Sequence, residues 1–354
     1  MKIGIYDPYL DDLGGGEKYM LAMAQCLSSD HEVVIFWDTP SDFEEITQRF
    51  QISLSHVTLA KNIFSRKVGL LERLFATKEY DVIIFLSDGS VPFVLSKKLL
   101  LHVQQPLHIR RNSLKDTIKL NRVYKIFCNS QYTKSFIQKQ LAREVFVLYP
   151  PVALYPKDTE KENIILHVGR FRVKNVGVGD YKKQEVMVNA FKKMCEQGLR
   201  GWKFVLAVSI KDDDREKFEE LRKAAAGLPI EFLVNKNNRE LWELYNKAKI
   251  YWHASGYGEN LEQHPEYAEH FGISTVEAMG AGAVPVVIHA GGQKEIVTNG
   301  KNGMLWRTLG ELQKKTLQLM DDSVLLTNMS QAARKRAETF AGNRFCQEVK
   351  NLIV

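Results

Sequence analysis

The sequence predicts an α/β protein built from two parallel sheets, and three features support this. At 354 residues the chain is too long for one ordinary hydrophobic core, which favours two domains of similar size. Short apolar segments alternate with stretches of helical periodicity, as parallel sheets with crossover helices require. Pro150 and Pro151 cannot continue a helix or a central strand, so we place the domain boundary just after them, with domains over residues 1–155 and 156–335.

The first domain begins with a strand, Lys2–Tyr6, a glycine-rich loop over residues 13–17 and a helix that starts at about Glu17. The loop does not follow the pattern Gly-x-Gly-x-x-Gly, so a nicotinamide dinucleotide fold is a poor match. Its glycines would let the backbone approach a ligand closely, although a flexible turn has the same composition. Further strands are predicted at residues 33–37, 82–86, 99–103 and 126–128.

The second domain restarts with a strand over residues 163–168 that runs into Gly169 and Arg170. Lys182 then opens a helix, and later strands are predicted at residues 204–207, 230–234, 283–288 and before Ser255. Asp212, Asp213 and Asp214 could suggest a metal site. We interpret them as acidic residues at the positive end of a helix that starts near Asp214.

The loop over residues 256–267 is rich in potential metal ligands, and His253 and His270 flank it. Their irregular spacing fits no zinc pattern, so we predict no metal site there. The ligand-type side chains within the loop are Glu259, Glu262, His264 and Glu266.

Residues 268–282 hold the densest group of functional candidates. Glu269 and Glu277 lie eight positions apart, on either side of a glycine-containing turn. We predict a strand, the turn and a short helix from Ser274, whose free backbone N–H groups would face an anion such as a diphosphate. Ser274 and Glu277 also fit a capping box, in which the serine caps the helix and the glutamate bonds back to it. The sequence alone leaves both interpretations open.

These motifs resemble, in order and over nearly the whole chain, those of the family 4 retaining glycosyltransferases. The matching segments are Gly-Gly-x-Glu at 14–17, Asn-Ser-x-Tyr-Thr at 129–133, Pro-Pro-Val at 150–152, Gly-Arg at 169–170, Glu-x7-Glu at 269–277 and Gly-Gly-x-x-Glu-Ile-Val at 291–297. The resemblance implies the GT-B fold, with two Rossmann-like domains facing across a cleft, the acceptor on the first and the donor on the second. It also implies that a last helix, within residues 336–354, crosses back to the first domain.

The resemblance assigns Glu269 to the transferred sugar and Glu277 to the nucleotide ribose. Arg170 and Lys182 would stabilise negative charge on the leaving diphosphate. The loop 171–181 is longer than usual in the family, so Lys183 is an alternative to Lys182. It also contains Arg172 and Lys174, which could reach phosphate.

A histidine after the strand 99–103 would contact the donor sugar, which points to His102, with His108 as the alternative. A lone histidine there is otherwise an ordinary hydrogen-bonded polar residue. The predicted catalytic residues are His102, Arg170, Lys182 and Glu269. The predicted donor-binding residues are Gly15, Gly16, Gly169, Arg170, Lys182, Lys183, Phe271, Gly272, Ile273, Ser274 and Glu277.

Composition bears on whether the protein is membrane-bound, secreted, metal-binding or nucleic-acid-binding. No apolar run approaches the roughly 20 residues of a membrane span, and the chain enters a strand directly with no visible signal peptide. The four cysteines show no metal spacing, so we expect reduced core thiols in a cytoplasmic protein. The net charge of +7 could suit nucleic acid, but no motif supports that partner. We expect no metal and no cofactor, with a nucleotide sugar as co-substrate.

A basic stretch in the first domain is interleaved with Leu114, Ile118 and Val123. This pattern suits peripheral docking on anionic lipid at the inner face of a membrane, and a solvated helix face has the same pattern. The basic residues are Lys97, Lys98, Arg110, Arg111, Lys115, Lys119, Arg122 and Lys125.

The sequence therefore predicts a retaining, metal-independent glycosyltransferase that acts on a glycan or a lipid-linked acceptor. The Glu-His-Phe-Gly-Ile segment at 269–273 resembles mannosyltransferases of lipid-linked oligosaccharide assembly, so we expect GDP-mannose as the donor. Two alternatives remain: a nucleotide-sugar epimerase on the same fold, and a nucleotide-sugar-binding protein without turnover.

Overall fold

The computed structural model describes residues 1–12, 15–50, 52–110, 113–172 and 182–354. The chain forms two units, Met1–Pro151 with Gly342–Val354, and Val152–Ala341. The first boundary lies a few residues before the predicted residue 155. The return to the first unit begins at Gly342 rather than at residue 336.

The first unit contains a parallel sheet whose strand order, among the described residues, is β3-β2-β1-β4-β5-β6-β7. The chain runs outward from β1 to β3 and then returns to the other side of β1. The order therefore reverses between β1 and β4, which is where open α/β sheets form their ligand crevices. The strands are β1 Lys2–Tyr6, β2 Glu32–Phe36, β3 Val57–Ala60, β4 Val82–Leu86, β5 Lys98–Val103, β6 Val123–Cys128 and β7 Val145–Val147.

Helices cover this sheet and bury their apolar faces on it. In the first of them Tyr19, Leu21 and Leu27 are buried, as their helical spacing predicts. Ser113 and Ser130 each accept a backbone N–H bond in the first turn of the helix that follows, which fixes where those helices begin. The helices are α1 Gly15–Leu27, α2 Pro40–Phe50, α3 Leu70–Lys78, α4 Leu114–Asn121 and α5 Gln131–Leu141, with a 3-10 turn at Leu10–Asp12.

The second unit is built on a second parallel sheet, with the order β10-β9-β8-β11-β12-β13 among the described residues. Its central strands are buried on both faces, so they are continuously apolar rather than alternating. The strands are β8 Glu162–Arg170, β9 Lys203–Ser209, β10 Ile230–Val234, β11 Ala248–His253, β12 Val284–Ile288 and β13 Met304–Trp306.

The helices of the second unit alternate with these strands. They are α6 Gln184–Glu196, α7 Arg215–Ala224, α8 Asn238–Lys247, α9 Ile273–Gly280, α10 Gln293–Ile296, α11 Leu309–Asp321 and α12 Ser323–Glu338, with 3-10 turns at Asp212–Asp214 and Pro265–Tyr267. The predicted α/β class with two parallel sheets is confirmed. Glu269 follows the 3-10 turn Pro265–Tyr267 and not a strand, so that part of the prediction is wrong.

The last helix, α13 Gly342–Ile353, packs on the first unit. Phe345, Val349 and Ile353 enter that unit's core. Lys98 and Lys125 donate to its final carbonyls, at 3.1 Å from Ile353 O and 2.9 Å from Leu352 O. Cations are favourable at this negative end of a helix. Two members of the predicted basic stretch therefore hold a helix end.

A disulfide joins Cys26 of α1 to Cys346 of α13. The prediction of four reduced thiols is wrong for this pair, since the two cysteines are 320 residues apart and their spacing carries no pairing signal. Among the described residues, Cys128 and Cys195 are not part of a disulfide. Within the same residues no helix is long and apolar enough to cross a bilayer.

Candidate active site

The centre of the second unit's site is the start of α9. Gly272 precedes the helix with a φ of 118°, and no side chain caps the first turn. The Tyr251 hydroxyl lies 2.8 Å from Ser274 Oγ, and the Tyr245 hydroxyl donates to Glu277 Oε2 at 3.0 Å. The capping box is therefore not formed, and the helix begins one residue before Ser274. Its first backbone N–H groups lack a side-chain cap, which is the arrangement that binds anions.

Glu269 forms the second part of the site, where it contacts a cation and a histidine. Lys182 Nζ lies 2.7 Å from Glu269 Oε2, and His253 Nε2 lies 3.0 Å from the same oxygen. Lys182 lies two residues before the start of α6, and His253 is the last residue of β11. All three side chains are largely buried, at 16%, 19% and 2% exposure for Lys182, Glu269 and His253.

These contacts fix the charge state of Glu269. Burial alone would raise its pKa, but the Lys182 ammonium and the hydrogen bond from His253 outweigh burial and hold the pKa well below its usual value. Burial lowers the pKa of His253, so the ring is neutral. The Ser255 N–H donates to His253 Nδ1, which assigns the ring hydrogen to Nε2, facing the carboxylate. The result is an ionised Glu269 held in place by two donors.

Glycines allow a second loop to pass against this segment. A Cβ at Gly291 would lie 2.2 Å from Glu269 O, and one at Gly292 would lie 2.5 Å from His270 O. The Gly292 N–H donates to Glu269 O at 2.8 Å. The Gly-Gly motif at 291–292 therefore supports the backbone that carries Glu269.

The other predicted phosphate ligands lie at the carboxyl end of β8 and the start of α6. Arg170 is the last residue of β8, and its carbonyl accepts a bond from Gln184 Nε2 at 3.1 Å. No carboxylate pairs with the Arg170 guanidinium among the described residues. Lys183 instead forms an ion pair with Glu259, and both side chains are largely buried. Lys183 is thus neutralised by the loop 256–267.

The remaining second-unit predictions fall in three places. Phe271 is buried and packs edge-on against Phe340, with ring centroids 5.3 Å apart, so its side chain belongs to the core. Arg172 forms an ion pair with the buried Asp214 at 3.5 Å, which explains one member of the aspartate triplet without a metal. Lys174 and the rest of residues 173–181 lie outside the described residues. No group of three potential metal ligands is arranged to hold an ion elsewhere in the part that is described.

His102 lies inside the first unit with no exposed surface. Its ring stacks between Tyr19 and Phe127, at centroid distances of 4.6 and 4.4 Å, and burial lowers its pKa to about 3. In this position the ring has no solvent-exposed surface, and its contact with the donor sugar stays a prediction. The alternative, His108, is exposed and pairs with Gln140 at 2.9 Å.

Gln104, two residues beyond His102, is half-buried and contacts the predicted glycine loop. Its amide donates to Gly16 O at 3.0 Å, and a Cβ at Gly16 would lie 2.2 Å from Gln104 Oε1. Gly15 and Gly16 form the first turn of α1, and residues 13 and 14 of the same loop lie outside the described part. The sequence predicts this strand end as part of the site. His102 and Gln104 are two residues apart, so strand alternation does not distinguish them, and they differ in burial.

Tyr245 and His253 were also missed as site residues. Tyr245 is in the last turn of an amphipathic helix, where a buried aromatic residue normally indicates core packing. The sequence indicates His253 only as a potential metal ligand. A strand-terminal position at the carboxyl edge of the sheet was the available signal for His253.

Comparison with known families decides the identity of this arrangement. The family model for glycosyl transferases group 1 matches residues 156–336, which is half of the chain and nearly all of the second unit. The chain belongs to the group 1 glycosyl transferases. The predicted family resemblance is thereby confirmed, and the glycosyltransferase has its matched segment on the unit that carries Arg170, Lys182, Glu269 and Glu277.

Curated relatives of this glycosyltransferase include mannosyltransferases. It is 27% identical over 250 residues to the GDP-Man:Man(3)GlcNAc(2)-PP-Dol alpha-1,2-mannosyltransferase of Dictyostelium discoideum, covering 64% of this chain and 47% of that protein. It is 26% identical over 229 residues to a probable sucrose-phosphate synthase of Thermosipho melanesiensis, covering 61% and 49%. The chain spans about half the length of these relatives.

Solved structures share the fold over the whole chain. HepE of Anabaena, crystallised with UDP and glucose, is similar with a TM-score of 0.69 at 18% identity, covering 99% of both chains. A glycosyltransferase of Rickettsia africae gives a TM-score of 0.75 at 15% identity, covering 99% of this chain and 97% of the other. These similarities show the GT-B fold.

Proposed function

We propose that this glycosyltransferase retains anomeric configuration and transfers mannose from GDP-mannose to a hydroxyl group of a glycan or lipid-linked acceptor. The observation that carries the proposal is the uncapped start of α9 with Glu269 on one side and Glu277 one turn inside the helix. A helix start without a side-chain cap favours a diphosphate, and two carboxylates beside it can accept hydroxyl groups from both ends of a nucleotide sugar.

Glu277 suits the ribose of the donor. Its Oε2 accepts the Tyr245 hydroxyl, so the carboxylate is oriented by a buried aromatic residue on another helix. A carboxylate held in this orientation can accept hydrogen bonds from ribose hydroxyl groups. We assign the nucleotide to this end of α9.

Glu269 suits the transferred sugar as an acceptor of hydroxyl groups rather than as a nucleophile. Its charge is offset by Lys182, and its pKa is held well below the usual value against the effect of burial. Such a carboxylate is a weak nucleophile, because a low pKa and a paired cation both reduce its basicity. We therefore propose front-side attack, with the leaving phosphate accepting the acceptor's proton.

Arg170 and Lys182 would stabilise the charge that develops on the leaving diphosphate. Fixed cations of this kind supply the stabilisation that a metal ion supplies elsewhere, so the proposal includes neither a metal nor a cofactor. The donor must compete with Glu269 for Lys182, so donor binding would move that ammonium toward phosphate. The positive charge of Lys182 would then stabilise the leaving phosphate in the transition state.

Support for mannose and for its guanosine carrier comes from the relatives. The mannosyltransferase of Dictyostelium discoideum is named for GDP-Man and a dolichol diphosphate acceptor. A uridine donor is the competing choice, because HepE was crystallised with UDP and glucose. We propose that the protein binds peripherally to the cytoplasmic face of a membrane, where a lipid-linked acceptor would lie.

The test is a donor panel of GDP-mannose, UDP-glucose and UDP-N-acetylglucosamine, measured by thermal shift and slow donor hydrolysis. We expect selective stabilisation and mannose release with GDP-mannose, both lost in Glu277→Ala. Glu243→Gln, an exposed carboxylate on the same helix as Tyr245, is the matched control and should leave both unchanged.

Product analysis separates the alternatives. A product whose anomeric configuration differs from that of the donor would contradict retention. Conversion of the donor sugar to its epimer without any acceptor would favour the epimerase, and stabilisation without turnover would favour a binding protein. Flotation with anionic and neutral vesicles tests the membrane contact. A protein that floats with neither kind of vesicle would contradict it.

A further inference from the structure

The first unit contains a cavity of about 900 Å³ at the carboxyl edge of its sheet. Tyr6 ends β1 and Phe85 lies in β4, and the two residues are register partners with ring centroids 4.8 Å apart. Phe64 completes the aromatic floor, 4.7 Å from Tyr6 and 5.2 Å from Phe85. The cavity therefore opens where the strand order reverses, the usual place for a ligand in such a sheet.

Positive charge dominates the lining of this cavity. Asp88 is the one carboxylate among the described lining residues, and it already accepts bonds from the Ser90 N–H and hydroxyl at 3.0 and 2.6 Å. The cationic lining residues are Arg66, Arg73, Arg110, Lys115 and Lys119. Such an excess around a cavity attracts an anion, and several cations favour a phosphate or diphosphate over a single carboxylate.

Arg73 shows that this charge is fixed to the fold. Its guanidinium donates to Ile63 O at 2.9 Å and Ser65 O at 3.2 Å, so it is held by carbonyls that do not cancel its charge. The same guanidinium lies 5.8 Å from the centre of the Phe64 ring. The aromatic floor and the fixed positive charge of Arg73 are thus in direct contact.

Apolar side chains at the same cavity are exposed to solvent. Leu70 at the start of α3 is 50% exposed, and Leu114 and Ile118 on α4 are 78% and 48% exposed. Leu71 and Phe75, also on α3 but outside the cavity lining, are each 70% exposed. Exposed apolar residues in one cluster mark a binding surface, and this cluster continues directly into the cationic cavity.

We propose that this cavity binds an anionic lipid, with a phosphate or diphosphate head paired to the cations and the hydrocarbon chain against Leu70, Leu114 and Ile118. Charge complementarity favours an anionic head group. The exposed apolar side chains favour a ligand that also carries a hydrocarbon chain. The inference rests on the proposed function in one respect: it makes this lipid the carrier of the acceptor. Val123, predicted to belong to the lipid surface, is buried in β6 and takes no part.

Direct binding to the whole chain tests the proposal without any donor. The probes are farnesyl diphosphate below its micellar concentration, inorganic diphosphate, and uncharged farnesol, each measured by calorimetry. We expect farnesyl diphosphate to bind at least roughly tenfold more tightly than either of the others, since it alone satisfies both charge and apolar surface.

Two double variants examine the two halves of the ligand. Lys115→Gln with Lys119→Gln should weaken farnesyl diphosphate binding by roughly tenfold or more, since the variant removes two of the cations that pair with the anionic head. Leu114→Ser with Ile118→Ser should weaken it by a similar factor while leaving inorganic diphosphate unchanged. Lys139→Gln on α5, an exposed cation away from the cavity, should change neither. These changes are at exposed or half-exposed sites, so thermal unfolding should stay that of the parent.

Three results would overturn the inference: no binding of farnesyl diphosphate, equal binding of inorganic diphosphate, or insensitivity to both double variants. Reduced flotation of the variants on phospholipid vesicles with unchanged farnesyl diphosphate binding would also overturn it, in favour of a bilayer surface. Failure of the donor panel with lipid binding intact would remove the proposed function and leave the lipid site.

Discussion

At the scale of single residues, the chemistry of Glu269 is decided by two neighbours. Lys182 supplies charge and His253 supplies a directed hydrogen bond, both to Oε2. Burial would otherwise favour the neutral acid, which could not accept two sugar hydroxyl groups. The position of His253 at the end of β11 is therefore as important to this carboxylate as the cation is.

Removing the histidine should be visible in a pH profile. In His253→Leu the carboxylate loses a bond that lowers its pKa, so we expect the acidic limb of turnover against pH to move to higher pH. We also expect kcat to fall by roughly tenfold, the usual effect of losing a buried hydrogen bond to a charged group, with little change in KM.

His253→Gln is the conservative variant, because its amide can still donate to Glu269, and it should restore much of the turnover. Steady-state kinetics from about pH 3.5 to 9 measure both quantities, because the limb of a carboxylate with so low a pKa lies in the acidic part of that range. An acidic limb that stays in place in His253→Leu would contradict the assigned role.

At the scale of elements, the site depends on how closely two loops approach. The turn at Gly291 and Gly292 passes against the backbone of Glu269, His270 and Phe271 without room for a Cβ. The same segment leads into α9, so the loop after β12 sets both the carboxylate and the helix start. This explains why glycines occur on a loop that carries no predicted ligand of its own.

Gly292→Ala tests this packing. The φ at Gly292 is −66°, which alanine adopts readily, so only the new Cβ matters. It would lie 2.5 to 2.6 Å from backbone atoms of His270 and Phe271. We expect a loss of about 1–3 kcal/mol in the free energy of unfolding, the usual effect of overpacking, and weaker donor binding.

The matched control is Gly310→Ala in α11, where the nearest atom to the new Cβ is 3.9 Å away. Alanine in place of a helical glycine should stabilise by about 0.5–1 kcal/mol. Urea unfolding measures both variants, and a Gly292→Ala protein as stable as its parent would contradict the close approach.

At the scale of the whole molecule, each unit contains a fully buried neutral histidine. His102 lies in the first unit and His167 in the second. Burial lowers both pKa values to about 3, with the nearby His253 adding to the effect at His167. Both rings bond backbone carbonyls, of Phe127 and Trp252. Each unit therefore has a core group that resists protonation.

This makes stability fall in acid. The folded-state pKa of each histidine is below its unfolded value of about 6.5, so the unfolded chain binds more protons as pH decreases. We expect the free energy of unfolding to decrease below about pH 6.5, by up to about 1.4 kcal/mol per pH unit for each histidine, until about pH 3. The contribution is fully present above pH 6.5.

Urea unfolding at pH 7.5, 6.0 and 5.0 measures this slope. His102→Gln and His167→Gln should each reduce it by nearly one proton, even if they lower stability at pH 7.5. Slopes that equal that of the parent would show that these rings are protonated in the folded protein.

The sequence by itself determined the fold class, the strands that end at the site and the segment 268–282. These features depend on local periodicity, on glycine turns and on motif spacing, which are all contained in neighbouring residues. The strands Lys2–Tyr6, Val82–Leu86 and Ile230–Val234 have the ends that were predicted. The short strands β3, β7 and β13 were missed, because each lies at a sheet edge and has too few apolar residues to give a pattern.

Only the tertiary structure decided which side chains meet. Tyr245 and Tyr251 come from other elements to bond Glu277 and Ser274, which rules out the capping box that the local sequence equally allowed. Burial of His102 and pairing of Cys26 with Cys346 likewise depend on elements far apart in the chain. Contacts between distant segments follow from packing in three dimensions, and no local pattern in the sequence records them.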